Sequence, residues 1–244
     1  MISSLELGLK GKVAIVSGGG GPLEGIGNGR AAAILLADSG AKVVVVDKEI
    51  DLAQNTVDMI KKRDGKAIGI AGDLTISDEC KKVVDFALEN WGRLDILDNN
   101  IGIASKLSVV EETEEHWDRV MNVNLKPMFL MSKFAIPAMI SSGDGGSIVN
   151  ISSISATRPK GLTSYSASKG AVLSLSQAMA VDHGKNGIRV NCILPGPVYT
   201  PMVYSEGMTE SHRSQRQNAS LIEMEGTGWD IGKAVVYLCS EWAR

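Results

Sequence analysis

The sequence predicts an α/β protein built on one doubly wound, parallel β-sheet. Short runs rich in valine and isoleucine alternate with longer helical patterns along all 244 residues. These runs show no alternation of polar and apolar residues, which indicates strands buried on both faces. Strands separated by helices imply right-handed crossovers between parallel neighbours. Because no linker, repeat or low-complexity segment interrupts the pattern, we expect a single domain over residues 1–244.

Each element follows from its local pattern. The predicted strands are short apolar runs at residues 12–17, 42–47, 66–71, 94–98, 147–151 and 188–193. The predicted helices are the longer segments at residues 28–39, 51–63, 77–90, 113–140, 164–183 and 229–241. Gly40 and Gly65 follow the first two helices, and Ser77 is the expected N-cap of the third. Residues 195–228 are polar and irregular, and we expect a substrate loop at about 199–225.

The composition argues against several classes of protein. A net charge of −3 gives no basic field for nucleic acid or an anionic membrane. Three scattered cysteines and three histidines without ligand spacing predict neither a metal site nor a disulfide framework. No apolar run approaches the roughly 20 residues of a membrane span. The first six residues lack a basic stretch followed by an apolar one, so we expect a cytoplasmic protein with reduced thiols.

A glycine-rich loop follows the first predicted strand. Residues 17–27 read SGGGGPLEGIG, and a predicted helix begins directly after them. Glycines let backbone N–H groups approach a pyrophosphate, and a helix N-terminus favours its negative charge. The loop therefore indicates a dinucleotide site, with a flexible surface turn as the alternative. The pattern GxxxxGK[ST] is absent, which argues against a P-loop phosphotransferase.

Two acidic residues end the second and third predicted strands. Asp47 follows Gly27 by 20 residues, where a carboxylate can accept both hydroxyls of an adenosine ribose and repel a 2′-phosphate. It predicts NAD rather than NADP, although a helix cap or an exposed strand end would also place an acid there. Asp73 either flanks the adenine or caps the next helix.

Tyr165 and Lys169 are spaced i and i+4 and therefore share one face of a predicted helix. A nearby ammonium stabilises a phenolate, so it should lower the tyrosine pKa towards working pH. Such a tyrosine can act as a general acid or base on a substrate hydroxyl. For this pair taken alone, a solvated helix face is the usual alternative.

Further motifs complete the pattern, namely Asn99-Asn100-Ile101-Gly102, Asn124, Ser153 and Pro195-Gly196 with Thr200. In this order and spacing the chain resembles the short-chain dehydrogenase/reductase family from about residue 11 to its end, in the main branch with Tyr-x-x-x-Lys. The resemblance implies an oxidoreductase that transfers a hydride between NAD(H) and a secondary alcohol, ketone or related carbonyl. It also implies a Rossmann-type sheet with strands ordered 3-2-1-4-5-6.

The resemblance implies a role for each matching residue. Tyr165 would exchange the proton with the substrate oxygen, and Lys169 would bind the nicotinamide ribose. Ser153 would donate a hydrogen bond to the substrate oxygen, and Asn124 would anchor a water in a proton path from Lys169. The cofactor would be lined by Ser17, Gly18, Gly25, Ile26, Gly27, Asp47, Asp73, Leu74, Asn99, Asn100, Gly102, Tyr165, Lys169, Pro195, Gly196, Val198, Thr200 and Met202. The helix of Tyr165 and the one before it would build a homodimer, often within a homotetramer.

The chain departs from the family pattern in several places. Gly18 and Gly25 enclose six residues, more than the family's glycine motif has. A long loop resembles the enoyl-reductase branch, but that branch has a wider Tyr–Lys spacing. Ile101 replaces a small residue, and Asp98 stands where an apolar residue is commoner. The family's seventh strand has no counterpart before the end of the sequence, so we expect the sixth strand to be an edge.

A nucleotide-sensing regulator on the same fold is the alternative to an enzyme, because fold does not determine function. A sensor could bind NAD without the tyrosine, lysine, serine and asparagine together, and their joint presence favours the enzyme. The substrate wall is expected from residues 103–107, 155–162 and 199–225. Tyr204, His212, Arg213 and Arg216 in the last segment suit a polar or anionic substrate, with solvated loop residues as the alternative.

Overall fold

The centre of the fold is one sheet of six parallel strands, seen in a computed structural model that describes residues 6–159, 161–205 and 207–243. The strands are β1 (Val13–Ser17), β2 (Lys42–Asp47), β3 (Lys66–Ala71), β4 (Ile96–Asn99), β5 (Gly146–Ile151) and β6 (Ile188–Ile193). Their order is β3-β2-β1-β4-β5-β6, and every neighbouring pair is parallel. The predicted fold class and strand order are therefore confirmed.

Helices cover both faces of the sheet. They are α1 (Asn28–Asp38), α2 (Ile50–Lys61), α3 (Ser77–Trp91), α4 (Glu114–Asn124), α5 (Lys126–Ser141), α6 (Thr163–His183), α7 (Pro201–Tyr204), α8 (Glu210–Asn218) and α9 (Gly228–Cys239). Helices α1, α2 and α9 contribute to the hydrophobic core on one face, and α3, α5 and α6 contribute to the core on the other. Among the residues that the structure describes, no helix is long and apolar enough to cross a membrane.

Burial explains why the strand runs are uniformly apolar. In β2 the side chains of Val43 and Val45 join one core, while Val44 and Val46 join the other, so all four are fully buried. The outer strands β3 and β6 are only partly buried, because each has a single neighbour in the sheet. Within the described residues no strand pairs with the outer side of β6, as expected for an edge.

The prediction of one long helix over residues 113–140 was wrong. The structure has two helices, α4 and α5, separated at Leu125, whose φ of −114° departs from helical geometry. Pro127 lies in the first turn of α5 and has no N–H to donate to the carbonyl of Val123, so a continuous helix would lose this bond. The break makes Asn124 the last residue of α4.

Two further expectations need correction. Ser77 is the first helical residue of α3 and Ile76 takes the N-cap position. The segment 195–228 is not wholly irregular, because it contains α7, α8 and a short parallel pair, β7 (Val198–Tyr199) with β8 (Gly226–Thr227). Helix α8 buries none of its residues, so it lacks the apolar stripe by which a helix is recognised from sequence.

The carboxyl ends of the central strands are aligned. Ser17, the last residue of β1, pairs with Val46 of β2 and with Asn99 of β4. Ile151 of β5 pairs with Ile193 of β6 in the same way. The loops after these strands therefore meet along one edge of the sheet, which is where open α/β sheets bind their ligands.

Candidate active site

The glycine-rich loop brings α1 directly onto the end of β1. Gly18 has a φ of +69°, a backbone conformation that side chains disfavour. Gly29 lies in the first turn of α1, and a Cβ added there would overlap the carbonyl oxygen of Gly18. Close packing of helix on strand is the role of the last glycine in dinucleotide-binding loops. Sequence reasoning missed Gly29, although Gly27-Asn28-Gly29 carries the signal.

The N-terminus of α1 is open for an anion. Gly27 is its N-cap, no side chain caps the helix, and its first turn contains no acidic residue. A Cβ added at Gly27 would meet no atom within 4 Å. The free N–H groups of a first helical turn are suited to a pyrophosphate. On the other side of the loop, Gly25 lies against Tyr204 and Pro201 of α7, and the carbonyl of Ile26 faces Gly228.

Ser17 and Asn99 face the interior rather than the cleft. The Ser17 hydroxyl donates to Oδ1 of Asn99 at 3.3 Å, and Nδ2 of Asn99 donates to Oδ1 of Asn150 at 2.8 Å. The Asn150 amide in turn donates to Ser176 of α6 at 2.9 Å. This buried chain of hydrogen bonds connects β1, β4, β5 and α6. The neighbours Gly18 and Asn100, directly after the strands, are partly exposed.

Asp47 and Asp73 lie at the ends of adjacent strands and have different partners. The Asp47 carboxylate accepts hydrogen bonds from the backbone N–H groups of Gly21 at 3.1 Å and Lys48 at 2.8 Å. Asp73 accepts bonds from the N–H and hydroxyl of Thr75, and Lys48 Nζ lies 3.0 Å from it. These contacts lower the pKa of Asp73 to about 2, and the hydrogen bond from the Thr75 hydroxyl makes the largest contribution. Leu74 beside it is buried in the core.

Tyr165 and Lys169 share one face of α6. The Lys169 ammonium lies 5.8 Å from the centre of the Tyr165 ring and donates to the carbonyl of Ile151 at 2.9 Å. Burial lowers the pKa of Lys169 to about 8. Burial also raises the pKa of Tyr165, while the nearby Ser153 hydroxyl lowers it. In this structure the tyrosine pKa therefore lies above its ordinary value, contrary to the expectation from the lysine alone, because removal from water outweighs the favourable contacts.

Ser153 and Asn124 are brought to the same place by other elements. Ser153 follows β5, and its Oγ accepts a hydrogen bond from the N–H of Ser155 at 3.2 Å. Asn124 is buried and bonds the backbone of Ile103 in both directions, at 2.7 and 3.0 Å. A Cβ added to Gly102 would lie 3.2 Å from Lys169 Nζ and 3.4 Å from Asn124 Oδ1. Gly102 therefore separates these two side chains, and the absence of its own side chain leaves room for both.

The segment after β6 closes the remaining side of the site. The carbonyl of Pro195 accepts a hydrogen bond from Ile154 N at 2.9 Å, which joins this segment to the one carrying Ser153. Gly196 has open space where a Cβ would be. Val198 and Thr200 are buried, while Met202 on α7 is exposed. The predicted catalytic residues thus converge at the carboxyl edge of the sheet, whereas Ser17, Asn99 and Leu74 of the predicted cofactor lining are buried in the interior.

The residues present fit a dinucleotide. A Cβ added at Gly27 would meet no atom within 4 Å, and the N-terminus of α1 is uncapped and has no acidic residue in its first turn. Asp47 lies at the carboxyl end of β2, where it accepts a hydrogen bond from the glycine-rich loop. Among the described residues no cluster of three or more His, Cys, Asp or Glu side chains could hold a metal ion.

Comparisons with known proteins agree with this geometry. A family model described as "Enoyl-(Acyl carrier protein) reductase" matches residues 21–244. "Short chain dehydrogenase/reductase astE" of Aspergillus oryzae is 34% identical over 245 residues, covering 98% of this chain and 91% of that protein. "Cyclohexanol dehydrogenase" of Acinetobacter sp. is 32% identical over 232 residues, covering 94% and 88%.

A solved structure has a similar fold over the whole chain. It is a 7α-hydroxysteroid dehydrogenase complexed with NADH and 7-oxo glycochenodeoxycholic acid, 34% identical to this chain. The two superpose with a TM-score of 0.91, covering 100% of this chain and 92% of that one. The chain therefore belongs to the short-chain dehydrogenase/reductase family of oxidoreductases.

Proposed function

We propose that this protein is an NAD(H)-dependent dehydrogenase/reductase of secondary alcohols and ketones. The observation that carries the proposal is the convergence of Tyr165, Lys169, Ser153 and Asn124 at the carboxyl edge of the sheet. Two of the relatives are named as dehydrogenases of cyclic alcohols, which supports this substrate class. None of the relatives compared is named as a regulator, so a sensing role has no support from them.

A nicotinamide bound at this site would supply the hydride chemistry, and the side chains would handle the proton. Tyr165 donates its phenolic proton to the substrate oxygen in reduction and accepts a proton in oxidation. Burial, which raises the pKa of Tyr165, keeps the phenol protonated at neutral pH and ready to act as an acid. Ser153 donates a hydrogen bond to the same oxygen, where negative charge develops. Lys169 binds the ribose, and Asn124 anchors a water beside it.

Replacement of Tyr165 by phenylalanine tests the proposal. Tyr165→Phe should lower turnover of a secondary alcohol or ketone by about 10²–10⁴-fold, because only the proton-transferring oxygen is lost. NADH binding, measured by fluorescence titration, should be unchanged. Tyr237→Phe is the matched control, since Tyr237 is exposed on α9 away from the site. Near-normal turnover of Tyr165→Phe with a true substrate would refute the assignment.

The choice of NAD over NADP is proposed to rest on Asp47. A phosphate about 4 Å from this carboxylate would be repelled by roughly 4 kcal/mol at an effective dielectric near 20, before salt screening. The cation closest along the chain, Lys48, is paired with Asp73 at 3.0 Å. We therefore expect kcat/KM to favour NAD in the wild type and to shift towards NADP in Asp47→Ala. A wild type that prefers NADP would contradict this.

A homodimer or homotetramer is proposed from an apolar surface on α4, α5 and α6. Phe129 is 49% exposed and lines a shallow groove of about 490 Å³ together with Met121, Leu125, Ala171 and Leu175. Exposed apolar patches of this kind mark interaction sites. Light scattering should give a mass of two or four chains, and Phe129→Glu should reduce it. A monomer at micromolar concentration would refute the proposal.

A further inference from the structure

Arg30 is a buried cation beneath the lengthened glycine loop. Its side chain is on α1 and only 1% exposed. Its guanidinium donates to the carbonyls of Gly25 at 2.6 Å and Gly21 at 3.3 Å, and its Nε donates to the Thr56 hydroxyl at 3.0 Å. A buried charge is unfavourable unless hydrogen bonds compensate it. The loop carbonyls provide that compensation, so the guanidinium and the loop conformation depend on each other.

Thr56 completes the attachment from the opposite side. It lies on α2, is fully buried, accepts the bond from Arg30 and donates to the carbonyl of Gly19 at 2.9 Å. Residues 18–27 form neither a helix nor a strand. Two side chains from two helices therefore bind carbonyl groups near the start, middle and end of the loop and determine its shape.

The shape of the loop in turn positions Asp47. The Gly21 N–H donates to Oδ2 of Asp47, and a Cβ added to Gly20 would lie 2.6 Å from the same oxygen. The other oxygen accepts the N–H of Lys48 at 2.8 Å. An ionised carboxylate has about four lone-pair positions, so two remain for ribose hydroxyls. The loop backbone forms a wall against one side of the carboxylate and limits its rotation.

We propose that Arg30 and Thr56 are positioning residues for cofactor selection, which act by shaping residues 19–25 so that the Gly21 N–H orients Asp47. The inference rests on the proposed function, because it assigns these residues to the NAD preference of the same site. The N–H that reaches Asp47 belongs to this lengthened loop. Neither side chain contacts the reacting atoms.

Matched variants of Thr56 test the proposal. Thr56→Val keeps the shape but removes the hydroxyl, which leaves Arg30 Nε and the Gly19 carbonyl without a partner, whereas Thr56→Ser keeps the hydroxyl. Asn55→Ala is the control, because Asn55 makes an exposed hydrogen bond to Leu23 in the same loop at 3.0 Å. Hydrogen exchange of residues 18–27 is measured in the free protein. NADH and NADPH affinities are measured by fluorescence titration.

Thr56→Val should speed exchange in the loop and weaken NADH binding about tenfold, as expected when a buried hydrogen-bonding group loses its partner. Its preference for NADH over NADPH should fall, while kcat at saturating NAD stays within about twofold because no catalytic group is touched. Thr56→Ser should restore wild-type values, and Asn55→Ala should leave them unchanged. Arg30→Lys keeps the charge but lacks the planar fork of donors, so it should also speed hydrogen exchange in the loop.

The possible results distinguish the positioning role of Thr56 from the proposed NAD selection. Unchanged loop exchange in Thr56→Val would overturn the positioning role. Faster exchange with an unaltered preference between NADH and NADPH would overturn the link to Asp47. A wild type that prefers NADPH would refute the proposed NAD selection itself, whereas the exchange comparison involves no cofactor and still tests the loop.

Discussion

Asp98 is a buried carboxyl group whose ionisation should make stability depend on pH. It lies in β4 with no exposed surface, on the face of the sheet that also carries Ile96 and the core formed with α1 and α9. One oxygen accepts a hydrogen bond from Asn100 at 2.6 Å, and the other has no partner. Burial raises the pKa of Asp98 to about 7. The nearby Cys239 stays a neutral thiol, because burial raises its pKa to about 12.

The sign and size of the effect follow from these pKa values. An unfolded aspartate has a pKa of about 3.9. Because the folded value is higher, the folded protein retains the proton, and its stability falls as pH rises from about 4 to about 7 and then levels off. The difference between the folded and unfolded pKa values corresponds to about 4 kcal/mol of stability. Of this stability, about 2–3 kcal/mol is lost between pH 5 and pH 8.

Asp98→Asn removes the ionisation and keeps the oxygen that accepts from Asn100. The free energy of unfolding of both proteins is measured with urea at pH 5 and pH 8. Between these two pH values, the difference between the variant and the wild type should shift by about 2–3 kcal/mol in favour of the variant. Asp118→Asn, an exposed carboxyl of α4, is the control and should show little shift. Parallel pH dependence of wild type and Asp98→Asn would refute the reasoning.

Three further outcomes are expected. Lys169→Ala should reduce both turnover and NADH affinity, and an effect on turnover alone would remove Lys169 from the ribose site. Gly29→Ala should destabilise the protein by about 1–3 kcal/mol in thermal unfolding, because the added Cβ would overlap the carbonyl oxygen of Gly18. Gly170→Ala is the control and should not destabilise the protein, because the nearest atom to its added Cβ is 3.9 Å away. Residues 199–225 should exchange hydrogen fastest in the free protein and slow with substrate bound; exchange as slow as in β1 would contradict this.

Much of the fold could be predicted because its signals are local. Residues 42–47 were predicted as a strand with the bounds that the structure has, since burial on both faces requires an uninterrupted apolar run. The long helix was predicted too long even though Pro127 carried the signal for the break. Helix α8 was missed because it packs no residue into the core and therefore shows no periodic apolar stripe.

The sequence alone determined the α/β class and the pairing of Tyr165 with Lys169, because these depend on the hydrophobic pattern of whole elements and on residues close together along one helix. The strand order was implied by the resemblance to a known family. Only the tertiary structure decided that Gly29 meets Gly18 and that Arg30 and Thr56 bind the glycine loop. It also decided that Tyr165 has a raised pKa. These properties arise from close packing and burial, and removal from water is a consequence of packing that no local pattern records.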